Sequence, residues 1–192
     1  MFKEIEFEQP KEFKFTEENL KKAKEIIAKY PTGKEQSAVM PLLDLAQRQH
    51  NNWIPLAAMN CIAEMLEMPE IRVLEIATFY TMYNKQPVGK HLIQVCRTTP
   101  CWLRGSDEVT NACKESLNID VGETSADGKF TLVEVECLGA CANAPMVQIN
   151  DSYYEDLDAE SMTKLIDTLA SGKKPKIGSQ VGRHSSEPKE GK

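Results

Sequence analysis

Apolar positions through the first 85 or so residues recur every three to four, the spacing that lays one stripe along an α-helix. Leu20, Ala23, Ile27 and Tyr30 form one such stripe, which Pro31-Thr32-Gly33 ends. Its start is marked by Thr16, a side-chain oxygen for free N–H groups, and by Glu17 and Glu18 at the positive end of the helix dipole. Val39, Leu42, Leu43 and Ala46 predict a second helix from about Glu35 to His50, with Pro41 requiring either a kink or a later start. Pro55 and Pro69 read as first-turn prolines, where a missing N–H costs nothing. They open helices over about 55–67 (Leu56, Met59, Ile62, Ala63, Leu66) and 69–77 (Ile71, Val73, Leu74, Ala77). Four such helices predict a small bundle over residues 1–88.

Beyond Gln86-Pro87-Val88-Gly89 the pattern changes to short runs that suit strands. His91–Val95 predicts a strand that delivers Cys96, and Phe130–Val135 a strand that enters a loop at Cys137. Between them Val109, Ala112, Cys113 and Leu117 predict a helix over about 106–117. Met146–Ile149 and Tyr153-Tyr154 predict a hairpin turning at Asn150-Asp151, and Met162, Leu165, Ile166 and Leu169 a last helix over about 158–170. The order β-α-β-β-α predicts an α+β domain over 89–171, with both cysteine loops leaving strand ends at one edge. Residues 172–192, rich in Gly, Pro, Ser and Lys, have little to bury and are expected to be a disordered tail when the chain is alone.

The 192 residues are 41% hydrophobic and 27% charged, an ordinary composition for a folded chain, with no apolar stretch near the roughly 20 residues that span a bilayer. Direct membrane insertion is therefore not expected. The net charge of −6 disfavours a nucleic-acid surface, which needs a basic face. That charge is uneven: the tail carries +4 and the remainder −10, which suggests that the tail meets a partner. The mixed, acid-rich start Met1–Glu8 lacks the basic and apolar regions of a leader, so a cytosolic-side protein or an already mature one is expected.

Six cysteines in such a compartment argue for ligation rather than disulfides. Four are paired: Cys96 with Cys101, and Cys137 with Cys141. Two loops with two thiolates each match the demand of a two-iron, two-sulfide cluster, and the small Leu138-Gly139-Ala140 insert suits close backbone approach to sulfur. A structural zinc remains the main alternative, although C-x4-C with C-x3-C is looser than the usual zinc knuckle. Plant-type ferredoxins gather three cysteines in one loop, thioredoxin dithiols need C-x-x-C, and Rieske sites need two histidines; His50, His91 and His184 lie in neither loop. Arg97 and Arg104 beside the first pair are candidates for easing the cluster's negative charge. Cys61 and Cys113, on apolar helix faces, are expected to be core thiols.

Asp127–Thr131, followed by Cys137-Leu138-Gly139-Ala140-Cys141-Ala142-Asn143-Ala144-Pro145, resembles the signature of the E-type subunit family of NADH–quinone oxidoreductase, respiratory complex I. Thr99-Pro100-Cys101, Ala77–Thr81, Ser37–Leu43, Gly172–Lys176, Gly182-Arg183 and Glu187-Pro188 extend the resemblance over nearly the whole chain. It implies a helical bundle followed by a thioredoxin-like domain holding one [2Fe-2S] cluster on Cys96, Cys101, Cys137 and Cys141. It also implies a flavoprotein partner that binds FMN and NADH, and a neighbouring iron–sulfur subunit. Electrons would pass from NADH to quinone, coupled to proton translocation, and the isolated chain would not oxidise NADH. This chain has no Gly-rich phosphate loop of its own. The implied setting is a peripheral arm on the cytoplasmic side of a bacterial inner membrane, with the matrix side of a mitochondrial inner membrane as the alternative. Other readings are the diaphorase subunit of an NAD-linked hydrogenase or formate dehydrogenase, a free-standing ferredoxin and a zinc-stabilised assembly factor.

Overall fold

Four helices open the chain in a computed structural model that describes residues 3 and 6–184. They are α1 (Glu17–Ile27), α2 (Val39–Gln49), α3 (Leu56–Met65) and α4 (Glu70–Phe79), with a 3-10 turn at Glu35–Ala38. The Thr16 hydroxyl accepts from the Asn19 N–H at 3.2 Å, the expected cap of α1. Pro41 causes no kink, because α2 starts at Val39 and the proline falls in its first turn, where no intrahelical N–H bond is lost. Pro55 and Pro69 stand one position earlier than the sequence suggests, capping α3 and α4 in extended conformation. Leu42, Leu43, Ala46, Ile54, Ala58, Ile62, Val73 and Ala77 meet in one buried core, with Tyr83 donating its hydroxyl to the Met40 carbonyl at 2.9 Å.

The chain divides into two compact units, Ile5–Val88 and Gly89–Lys192, the latter with Met1–Glu4. Gly89 begins the second unit for a steric reason: a Cβ there would lie 2.7 Å from the Phe130 backbone, and its N–H donates to the Thr131 hydroxyl at 2.6 Å.

The second unit is a five-stranded mixed sheet in the order β2-β1-β3-β4-β5. Its strands are β1 (His91–Cys96), β2 (Phe130–Val135), β3 (Met146–Ile149), β4 (Ser152–Glu155) and β5 (Gly178–Ser179). β1 runs parallel to β2 and antiparallel to β3, and β3 and β4 form the expected hairpin. Two features depart from expectation. A short helix, α5 (Thr99–Leu103), follows Cys96 and carries Cys101; five residues with Pro100 in the first turn are too few to show a helical period. The tail also differs: Gly178–Ser179 pairs in parallel with Tyr154–Glu155, and residues 180–183 continue hydrogen bonding to the domain. Its fixed points are polar partners on other elements rather than apolar burial, and composition does not report those.

Helices α6 (Ser106–Leu117) and α7 (Ala159–Ala170) pack against each other. Their Val109, Cys113, Met162, Leu165 and Ile166 share a buried core with Ile93, Val95, Leu132 and Val147 of the sheet. Asp158 and Ser161 form a reciprocal capping box at the start of α7. Residues 1, 2, 4, 5 and 185–192, including Glu187, Pro188, Lys189 and Lys192, lie outside the described residues.

Candidate metal centre

β1 ends at Cys96 and β2 ends one residue before Glu136-Cys137, and the parallel register aligns Cys96 with Val135. Parallel neighbours send their C-termini to the same end of a sheet, so the two cysteine loops emerge side by side. The Arg97 N–H donates to the Val135 carbonyl at 3.1 Å, carrying the pairing one step past the strand.

The four paired cysteines divide sharply by environment. Cys96 and Cys101 are each 1% exposed, packed with Ala144 and Met146 under Leu138, Ala140 and Tyr153. Cys137 and Cys141 are exposed, their Sγ atoms 3.6 Å apart. Cys141 opens a 3-10 turn, Cys141–Asn143, whose Asn143 is buried. The Ala144–Pro145 peptide that follows is cis.

Hydrogen bonds stitch the loops across the site. The Thr98 hydroxyl lies 3.3 Å from the Cys96 Sγ and also partners the Cys137 sulfur. Burial would push the Cys96 thiol up, but bonds from the Thr98 hydroxyl and from the N–H groups of Thr98 and Leu138 hold it below its ordinary value. Cys101 goes the other way, pushed up to about 12 by burial and by its bond to Cys96, against a stabilising Met146 N–H. In the outer pair the Gly139 N–H, followed by the Cys141 thiol, draws Cys137 down, while Cys141 rises chiefly through its bond to Cys137. Each pair therefore holds one sulfur favoured as thiolate beside one favoured as thiol. Gly139 has φ +84°, the left-handed conformation that glycine adopts without strain. Tyr153 fixes the same loop by donating its hydroxyl to the Leu138 carbonyl at 2.8 Å.

The structure thus brings Cys96, Cys101, Cys137 and Cys141 to one end of the sheet. Cys113 is buried among α6, α7 and the sheet, its thiol raised to about 12 by burial. Cys61, expected in a core, is only half-buried against the helical one. Arg97 is committed to Glu134 at 2.9 Å, which offsets the positive charge offered to the sulfurs. Arg104 stands exposed at the end of α5. Sequence reasoning passed over Thr98, Tyr153, Asn143 and Asp156; only the Gly182-Arg183 resemblance hinted that the tail matters here. Among the described residues no three His, Cys, Asp or Glu side chains are grouped to hold a metal ion. A two-iron cluster asks for two sulfurs at each iron, and the donors here are two cysteine pairs softened by N–H and O–H donors.

Residues 23–170 match the family described as thioredoxin-like [2Fe-2S] ferredoxin. The chain is 59% identical over 157 residues to the E-type subunit of NADH-quinone oxidoreductase of Rickettsia bellii (strain RML369-C), covering 82% of this chain and 94% of that one. It is 53% identical over 180 residues to NADH dehydrogenase [ubiquinone] flavoprotein 2, mitochondrial, of Dictyostelium discoideum, covering 94% of this chain and 73% of that one. Among solved structures, a chain of an NAD+-reducing [NiFe]-hydrogenase shares the fold, with TM-score 0.59 and 21% identity over 68% of this chain and 23% of that one.

Proposed function

The chain belongs to the E-type subunit family of NADH–quinone oxidoreductase, with the thioredoxin-like ferredoxin fold, and on that premise we propose that it is an electron-transfer subunit of complex I holding one [2Fe-2S] cluster. The observation that carries the reading is the convergence of two cysteine pairs at the ends of two parallel strands, with hydrogen-bond donors aimed at their sulfurs. Cys96 and Cys101 would hold one iron and Cys137 and Cys141 the other. When bound, the cluster supplies one-electron chemistry; the chain sets its position and potential.

The residues divide that work. Cys96 and Cys101 keep one side of the site dry, and the Leu138, Met146 and Gly139 N–H groups stabilise negative charge on sulfur. The outer pair faces solvent, which leaves a short path for an electron to a neighbouring chain. The partner in this reading is the flavoprotein that binds FMN and NADH, with a second iron–sulfur subunit nearby. Among the described residues no helix is long and apolar enough to cross a membrane, in keeping with a place in a peripheral arm. That arm would lie on the cytoplasmic side of a bacterial inner membrane or, alternatively, on the matrix side of a mitochondrial one. The hydrogenase likeness is one of fold, so the diaphorase role ranks behind the respiratory one.

Anaerobic purification with iron and zinc counts, followed by dithionite reduction and EPR, tests the proposal. About two irons per chain and a spin-half signal are expected. Zinc without a signal overturns it. Adding NADH alone should leave the sample oxidised, whereas NADH with the flavoprotein of complex I should reduce it.

A further inference from the structure

Behind the loop bearing Cys137 and Cys141, one nearly buried carboxylate gathers several donors. The side chain of Asp156 is 6% exposed. One of its oxygens accepts from Asn143 Nδ2 at 2.9 Å and from Ser179 Oγ at 2.6 Å. The other accepts from Arg183, through Nε at 2.9 Å and through Nη2. The same Arg183 Nη2 donates onward to the carbonyl of Ala142, the residue after Cys141, at 3.2 Å. The Asp156 N–H donates to the Asn143 carbonyl at 2.8 Å from a left-handed turn, φ +55°. Two further bonds seat the arginine: its own N–H to Ser179 Oγ at 2.9 Å, and the Gln180 N–H to the Glu155 carbonyl at 2.9 Å.

We propose that Arg183, clamped on Asp156, is a positioning residue that ties the C-terminal segment to the second cysteine loop and holds Cys141 in place for the [2Fe-2S] cluster, an inference that rests on the cluster reading above. The planar guanidinium faces a carboxylate and a backbone carbonyl at once, a geometry that the single ammonium of lysine does not reproduce. Its pairing with Asp156 also keeps a nearly buried negative charge compensated beside an anionic cluster. Removing the arginine frees the Ala142 carbonyl and leaves Asp156 with its Asn143 and Ser179 donors alone. The turn Cys141–Asn143 then loses its tether, and the Cys141 sulfur samples a wider range of positions. This gives the basic tail a role inside its own domain.

Full-length wild type, Arg183→Met, Arg183→Lys and Ser179→Ala, each loaded with iron and sulfide anaerobically, supply the test. The readouts are iron per chain, the rate of cluster loss to a chelator, the width of the reduced EPR signal and exchange of the Asp156 amide in the iron-free chain. Arg183→Met is expected to lose its cluster about tenfold faster, the usual size of an outer-shell effect, with a broader signal and faster Asp156 exchange. Arg183→Lys should fall close to Arg183→Met, and Ser179→Ala should move less in the same direction. A wild-type rate and line shape in Arg183→Met, or in Arg183→Lys, overturns the clamp. Should Arg183→Met fail to fold, the other two variants decide by the same criteria. A wild-type chain that takes up no iron refutes the cluster reading instead, and unchanged Asp156 exchange in the iron-free variants would separately overturn the tether.

Discussion

Cys96 and Cys101 sit at the end of a central strand and in a short helix, both almost wholly buried, whereas Cys137 and Cys141 sit in a loop and face solvent. The first pair inherits its geometry from the sheet: Ile93 and Val95 are fully buried in the main core, and β1 is hydrogen-bonded on both sides. The second pair is held by polar side chains from distant parts of the chain, Thr98, Tyr153, Asp156 and Arg183. Strand pairing and burial thus dominate one half of the site, and side-chain hydrogen bonds from other elements are more prominent in the other. The packed half is dry, and the bonded half is open to solvent.

Substituting the proposed ligands should break the comparison most visibly. Cys101→Ser buries a hard oxygen ligand where water cannot help to stabilise it, and iron should fall from about two per chain to near zero. Cys141→Ser leaves its oxygen in contact with solvent and should retain a cluster with a shifted EPR signal. Equal loss from both variants would show that burial does not separate the pairs. Ile93→Ala should next undermine the first loop from below, costing about 2–5 kcal/mol of the sheet unit's stability in a denaturant titration.

Alkylation of the iron-free chain sharpens the contrast without unfolding anything. Cys137 is exposed and favoured as thiolate, while Cys101 is buried and raised to about 12, so near neutral pH Cys137 should react at least about tenfold faster. Peptide mapping after a timed pulse checks this. The smallest effect concerns acid. Burial would raise the Asp156 carboxyl, but bonds from Arg183, Ser179 and Asn143 hold it below its ordinary 3.8. A group lowered by folding stabilises the fold above its unfolded value, and that contribution is lost as pH falls through the folded value. The Asp156 amide of the iron-free chain should therefore stay protected above about pH 4 and lose protection below it. Asp156→Asn should flatten that acid dependence.

Much of this was legible in one dimension. The helical stripe ending before Pro31 and the Thr16 cap of α1 rest on interactions within a few residues, and the strand leading into Cys96 shows as a local apolar run; all three stand in the structure. The tail departs from its expectation over residues 178–183, while residues 185–192 lie outside the described residues. Gly178–Ser179 pairs with β4, and Arg183 reaches a carboxylate 27 positions earlier in the chain. Nothing in a Gly-, Pro- and Lys-rich segment reports a partner that far away. The proposed easing of cluster charge by Arg97 likewise depended on where Glu134 would fall, and that is set by the β1–β2 register.

Cysteine spacing, helix periods and capping residues were in place before folding, because each depends on near neighbours and on the fixed geometry of the backbone. The division of four like residues into a dry pair and a wet pair came from the fold, as did the hydroxyl of Thr98 between the loops and the closure of Asp156 on Arg183. Burial and hydrogen bonding between distant residues are properties of assembled surfaces, and until the sheet assembles those surfaces no local pattern can encode which thiol faces water.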